Sequence, residues 1–128
     1  MSKKKIFIAD DQEDTLKLLK EFLISQDFDV FVLKEPKNIL TAVISFKPDL
    51  ILLDLRMPDL GGFEICEILN KDPQTREIPI IIITGFGDLA DVKKAYTLGA
   101  VGYFVKPFSL SDLSAKIIKT INNKEAQL

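Results

Sequence analysis

Acidic, hydroxylic and basic side chains follow four of the apolar runs in this chain. Asp54 ends Leu50-Ile51-Leu52-Leu53, Asp10-Asp11 follows Ile6-Phe7-Ile8-Ala9, Thr84-Gly85 follows the isoleucines at 80–83, and Lys106-Pro107 follows a run ending at Val105. If these runs are neighbouring parallel strands, three carboxylates and an ammonium meet at one edge of the sheet. In an open α/β sheet that edge, outside the carboxyl ends of the strands, is where ligands bind. At an effective dielectric of about 20, two carboxylates about 4 Å apart repel by about 4 kcal/mol, so three together require a cation. Mg²⁺, or Mn²⁺ in its place, takes oxygen ligands, keeps several waters and commonly completes its octahedron with phosphate oxygen. The residue types therefore point to a divalent-metal and phosphoryl site.

Positioning such residues requires a particular alternation of elements. Apolar runs recur at 5–9, 28–33, 50–53, 80–83 and 101–105. Four are nearly continuous and rich in branched aliphatics, as strands buried on both faces should be, whereas the second carries Asp29 and suits a strand nearer an edge. Between them the helical spacing of Leu16, Leu19, Phe22 and Leu23 predicts a first helix, and that of Ile39, Leu40, Val43 and Ile44 a second. Ile65, Ile68 and Leu69 predict a third after Gly61-Gly62; Leu89, Val92, Ala95 and Tyr96 a fourth; Leu110, Leu113, Ile117 and Ile121 a fifth. The pattern is (βα)₅, an α/β doubly wound parallel sheet with right-handed crossovers and the flavodoxin-like strand order 2-1-3-4-5. Pro36 is expected to begin the second helix, Pro48 to precede the third strand, Pro58 to follow it and Pro79 to open the fourth. Ser109 with Asp112 reads as a capping-box-like start to the fifth helix.

Composition bounds the function classes. The chain has 128 residues, enough for one domain burying roughly two thirds of the surface its unfolded form exposes, with a core at about 4–122 and a polar tail at 123–128. It is 47% hydrophobic and 28% charged, with 17 basic and 19 acidic residues, so it lacks the electrostatic footprint of a nucleic-acid binder. With no histidine, His-based zinc sites and catalysis are excluded, and the lone Cys66 fits a reducing cytoplasm. No apolar stretch approaches a membrane span or a signal-peptide core. The start Met1-Ser2-Lys3-Lys4-Lys5 reads as a native N-terminus, so any output domain is expected downstream.

Each site residue also has a plainer reading. Asp10 or Asp11 could N-cap the first helix. Asp54 and Thr84 could be turn residues, Lys106 a surface lysine and Tyr103 a half-buried strand aromatic. The weight comes from four sites, Asp10-Asp11, Asp54, Thr84 and Lys106, falling at corresponding strand ends.

The set Asp10-Asp11, Asp54-Leu55-Arg56-Met57-Pro58, Thr84-Gly85 and Lys106-Pro107-Phe108, in that order and spacing, resembles the response-regulator receiver domains of two-component signalling, the CheY-like family. The resemblance covers essentially the whole chain. It implies that Asp54 is the phospho-acceptor, that Asp10, Asp11, Asp54 and the carbonyl of Arg56 hold Mg²⁺, and that Thr84 is the switch hydroxyl. Lys106 would pair with the phosphoryl group, with a cis bond to Pro107, and Tyr103 would be the switch aromatic. The implied donor is a sensor histidine kinase or a histidine phosphotransfer protein. The implied reader is a downstream effector or a C-terminal output domain, and the fourth helix, fifth strand and fifth helix are a surface for output and for a homodimer.

Arg56 and Phe86, each two residues past a key position, are expected to tune the site, with Phe86 hindering water and prolonging the phosphorylated state. Gly61 stands where the family often has Asp or Asn, and Gly85 with Gly87 predicts a mobile loop. Other classes fit less well. A haloacid-dehalogenase-type phosphatase needs an acid where Arg56 stands, a flavodoxin needs a phosphate loop where Asp10-Asp11-Gln12-Glu13-Asp14 would repel phosphate, and a never-phosphorylated interaction module has no need of the intact acid set.

Overall fold

The computed structural model describes residues 3–57 and 60–126, so the expectations placed on Met1-Ser2, on Pro58 and Asp59, and on Gln127-Leu128 lie outside the described residues. Strands and helices alternate throughout: β1 (Lys5–Ala9), α1 (Glu13–Ser25), β2 (Asp29–Leu33), α2 (Ile39–Phe46), β3 (Leu50–Leu53), α3 (Gly62–Lys71), β4 (Ile80–Thr84), α4 (Leu89–Thr97), β5 (Gly102–Val105) and α5 (Leu110–Ala126). The strands form one parallel sheet in the order β2-β1-β3-β4-β5. Asp29 lies on an edge strand, as its charge among apolar neighbours suggested.

Side-chain alternation along the strands divides the core in two. Ile6, Ile8, Leu50, Leu52, Ile81 and Ile83 face one way and pack with Leu16, Leu19 and Leu23 of α1 and Leu113, Ile117 and Ile121 of α5. Phe7, Ala9, Ile51, Leu53, Ile80 and Ile82 face the other way, against Ile39 and Val43 of α2, Ile65, Cys66 and Leu69 of α3, and Ala95 of α4. Both sheet faces are therefore covered, which is why the strands read as unbroken apolar runs. Each aliphatic side chain so buried stabilises the fold by about 1.5–3 kcal/mol. Cys66 is buried, and burial pushes its thiol up to about 12, so it is inert at neutral pH.

Four details depart from the sequence reading. Pro36 does not begin α2; its carbonyl accepts from the Ile39 N–H at 3.1 Å, and Asn38 sits left-handed (φ 62°) before the helix starts. Asn tolerates that conformation better than most residues. On α3, Cys66 takes the inward place expected of Ile68, which is exposed. On α4, Leu89 and Tyr96 are exposed at 67% and 49%, and only Ala95 of the expected face is buried. The polar segment after residue 122 continues α5 through Ala126. The start of α5 has the expected cap, with the Asp112 N–H donating to Ser109 Oγ at 3.2 Å.

Candidate functional site at the carboxyl edge of the sheet

Register brings the site residues together. Ala9 pairs with Leu33 on one side and Leu53 on the other, so Asp10 and Asp54 emerge side by side from β1 and β3 at the point where strand order reverses. Thr84 pairs with Val105, which places Lys106 one step beyond the end of β5. The ladder bonds continue past the strand ends. The Asp10 N–H donates to the Leu33 carbonyl (3.1 Å), the Asp54 N–H to Ala9 (2.9 Å) and the Lys106 N–H to Thr84 (2.7 Å). Chemistry-bearing side chains are thus held by sheet backbone rather than by free loop, which is what precise placement requires. The Lys106–Pro107 peptide is cis.

Oxygens of Asp10, Asp11 and Asp54 all lie within 4.8 Å of one another. Asp10 is fully buried; its Oδ1 accepts from the Gln12 N–H at 2.9 Å and its Oδ2 from Lys106 Nζ at 2.7 Å. Neither acid caps α1, because the cap position belongs to Gln12. Lys106 Nζ also donates to Gln12 Oε1 at 2.7 Å and reaches Asp54 Oδ2 at 3.4 Å. Asp54 Oδ1 accepts from the Arg56 N–H at 3.2 Å. Burial first, and then the neighbouring Asp10 charge, push the Asp54 carboxyl up to about 6, against the opposing pull of the Arg56 N–H and Lys106. At neutral pH Asp54 is still mostly ionised. The cluster is all oxygen and crowded with negative charge, a donor set that fits Mg²⁺ or Mn²⁺ and suits neither zinc nor copper.

A cleft of about 690 Å³ opens over these groups, lined by Asp11, Asp54, Arg56, Phe86, Lys106 and Phe108 among others. The Arg56 guanidinium lies over the Phe86 ring, 4.3 Å from its centroid. Thr84 is fully buried, and its Oγ1 accepts from the Phe86 N–H at 3.3 Å, while the Tyr103 hydroxyl donates to the Phe86 carbonyl. Phe86 is therefore clipped at both its backbone groups, although its ring is half exposed. Gly85 has open space around it, but a Cβ on Gly87 would lie 2.7 Å from Val105 Cγ2, so close approach accounts for Gly87.

Three further residues shape the site without being singled out by the sequence pattern. Gln12 carries a local signal, since it directly follows Asp10-Asp11. Asp91, 3.7 Å from the Arg56 guanidinium, has none. In the sequence Gly62 marks only the start of the third helix, yet a Cβ there would sit 2.5 Å from Leu55 Cα and 2.6 Å from the Asp54 carbonyl oxygen. Backbone on backbone leaves nothing flexible to yield. Gly62→Ala is expected to destabilise the domain by about 1–3 kcal/mol and to displace Asp54. Urea unfolding checks the first effect; an unchanged midpoint would show that α3 can move away freely.

The fold and cleft define an α/β domain whose polar chemistry gathers at the switch point of a 2-1-3-4-5 sheet. A family model described as the response regulator receiver domain matches residues 6–118. The probable transcriptional regulator ycf27 of Cyanophora paradoxa is 35% identical over 125 residues, covering 98% of this chain and 51% of that protein. The DNA-binding response regulator MtrA of Mycolicibacterium smegmatis is 32% identical over 123 residues, covering 96% and 53%. The chain spans about half the length of these two relatives. Among solved structures, the response regulator receiver domain protein (CheY-like) from Methanospirillum hungatei JF-1 superposes with a TM-score of 0.92 at 27% identity, covering 99% of this chain and 100% of that one. The chain belongs to the response regulator receiver domain family, the signalling domains of two-component systems. None of its described helices is long and apolar enough to cross a membrane.

Proposed function

We propose that Asp54 is the phospho-acceptor of a single receiver domain, taking its phosphoryl group from a phosphohistidine on a sensor histidine kinase or a histidine phosphotransfer protein. The observation that carries this reading is the convergence of Asp10, Asp11 and Lys106 on the Asp54 carboxylate. An Asp54 carboxylate oxygen attacks phosphorus in line, the bond to the donor nitrogen breaks, and the leaving imidazole keeps the electron pair. Asp10, Asp11, Asp54 and the Arg56 carbonyl would hold Mg²⁺ or Mn²⁺, which when bound supplies charge neutralisation on the phosphoryl oxygens. Lys106, already poised between Asp10 and Asp54, contributes a second positive charge, and the sheet contributes positioning.

Readout begins at Thr84. Turning its hydroxyl to a phosphoryl oxygen releases the Phe86 N–H, and with it the reason for Tyr103 to stay on the Phe86 carbonyl. Charge-assisted hydrogen bonds are worth about 1.5–3 kcal/mol each, so those from Thr84 and Lys106 together approach the roughly 5.5 kcal/mol that inverts a 1:99 equilibrium. Exposed Leu89 and Tyr96 on α4, Val105 on β5 and Ile118 on α5 support this surface as the docking face for an effector, an output domain or a second copy. A cytoplasmic setting follows from the same reading.

The test is intact-mass spectrometry after incubation with acetyl phosphate, with and without Mg²⁺, on wild type and Asp54→Asn. One phosphoryl group is expected on the wild type with Mg²⁺ only. Addition to the variant, or addition independent of metal, would overturn the assignment.

A further inference from the structure

The side chain of Arg56 has two claimants. It lies exposed on the wall of the cleft that also holds Asp54 and Lys106, stacked on Phe86. Its guanidinium faces Asp91, in the first turn of α4, with Nη2 at 3.7 Å from Oδ2. That separation is an ion pair but too long for a hydrogen bond. Asp91 Oδ2 is buried and accepts no hydrogen bond among the described residues. Asp91 is held in place from its own backbone, whose N–H donates to the capping carboxylate of Asp88 at 2.9 Å. A buried carboxylate oxygen with one nearby cation and no donor is costly when that cation leaves.

From this geometry we infer that Asp91 is a positioning residue that holds the Arg56 guanidinium in reserve, and that a phosphoryl group on Asp54 draws Arg56 away from it, loosening the start of α4. The inference rests on the phospho-acceptor reading of Asp54. A phosphoryl group offers a guanidinium more charge and two oxygens for a pair of parallel hydrogen bonds, which Asp91 at 3.7 Å does not supply. Arg56 therefore becomes a phosphoryl-binding side chain only by leaving helix α4 without its counter-ion. The Arg56 backbone N–H stays on Asp54 Oδ1, so the side chain can swing while its origin remains fixed. This route reaches α4 through Asp91, alongside the one from Thr84 through Phe86 to Tyr103.

The experiment compares wild type, Asp91→Asn, Asp91→Glu, Arg56→Met and the Asp91→Asn/Arg56→Met double variant. Each is phosphorylated with acetyl phosphate and Mg²⁺, and phosphoryl loss is followed by intact mass after the donor is removed. Asp91→Asn frees Arg56 and is expected to lengthen the phosphoryl lifetime several-fold. In the Arg56→Met background the same substitution should change nothing, and Asp91→Glu should return the lifetime toward wild type. Amide hydrogen exchange over α4 gives a second readout. Exchange at its first turn should rise on phosphorylation of the wild type and be already high, and insensitive to phosphorylation, in Arg56→Met. Equal effects of Asp91→Asn in both backgrounds, or no effect where Arg56 is present, would overturn the inference while leaving Asp54 as the acceptor. A wild type that accepts no phosphoryl group overturns the Asp54 reading, and this inference with it.

Discussion

Replacing Asp54 with Asn is expected to stabilise the metal-free domain while ending phosphoryl uptake. The Asp54 side chain is almost fully buried beside Asp10, and its carboxyl is pushed from 3.8 up to about 6. Folded, it keeps its proton to about pH 6; unfolded, it gives it up near pH 4. Its contribution to stability is therefore full below about pH 4 and lost as the pH rises through about 6. At pH 7 the ionised side chain costs on the order of 3 kcal/mol, from roughly two units at about 1.4 kcal/mol each. Asn keeps an oxygen for the Arg56 N–H and carries no charge, so the variant should lose this part of the pH dependence. Urea unfolding in a chelator at pH 4.5 and pH 7 checks it: the variant's advantage should be large at pH 7 and small at pH 4.5. A variant no more stable than wild type at pH 7 would mean that solvent or Lys106 compensates the charge fully. Magnesium should narrow the gap, because it stabilises only the form with the full acid set.

The same burial explains what the sequence could and could not reveal. Leu50 to Leu53 is buried on both faces, so a run of four aliphatics was enough to place β3 and the acid behind it. Ala9, Leu53 and Val105 end their strands at the sheet edge, so reading the next residue found Asp10, Asp54 and Lys106. Helical periodicity is weaker evidence, because it marks an apolar stripe without saying how much of it a neighbour covers. That is why Leu89 and Tyr96, apolar and correctly spaced, read as core positions on a helix of which only Ala95 is buried. Gly62 was legible as a helix start, but its need to lie against Leu55 appears only when α3 docks next to the site. The Arg56, Phe86 and Asp91 contacts join three segments with no spacing rule between them, and no local pattern encodes them. Pairing across the sheet follows from a few rules of connection, whereas contacts between loop side chains depend on the finished packing.

Lys106 should show the opposite behaviour to Asp54. Its ammonium, itself mostly buried, is the counter-ion of fully buried Asp10 at 2.7 Å and reaches Asp54 at 3.4 Å. Lys106→Met keeps most of the aliphatic stem and removes the charge, leaving the acid cluster uncompensated. Breaking a buried pair in this way typically costs about 3–5 kcal/mol. The lower part of that range applies here, because the cleft admits water and Asp54 can take up a proton once the Lys106 charge no longer opposes it. The ammonium and a divalent cation neutralise the same carboxylates, so the variant should gain more from Mg²⁺ than the wild type does. Thermal unfolding at pH 7, in a chelator and then in excess Mg²⁺, reads both effects. The expected result is a melting point well below wild type without metal and a difference that shrinks with it. Equal Mg²⁺ stabilisation of the two proteins would show that Lys106 and the cation do not compete, and that the lysine's contacts with Asp10 and Asp54 are not what offsets their charge.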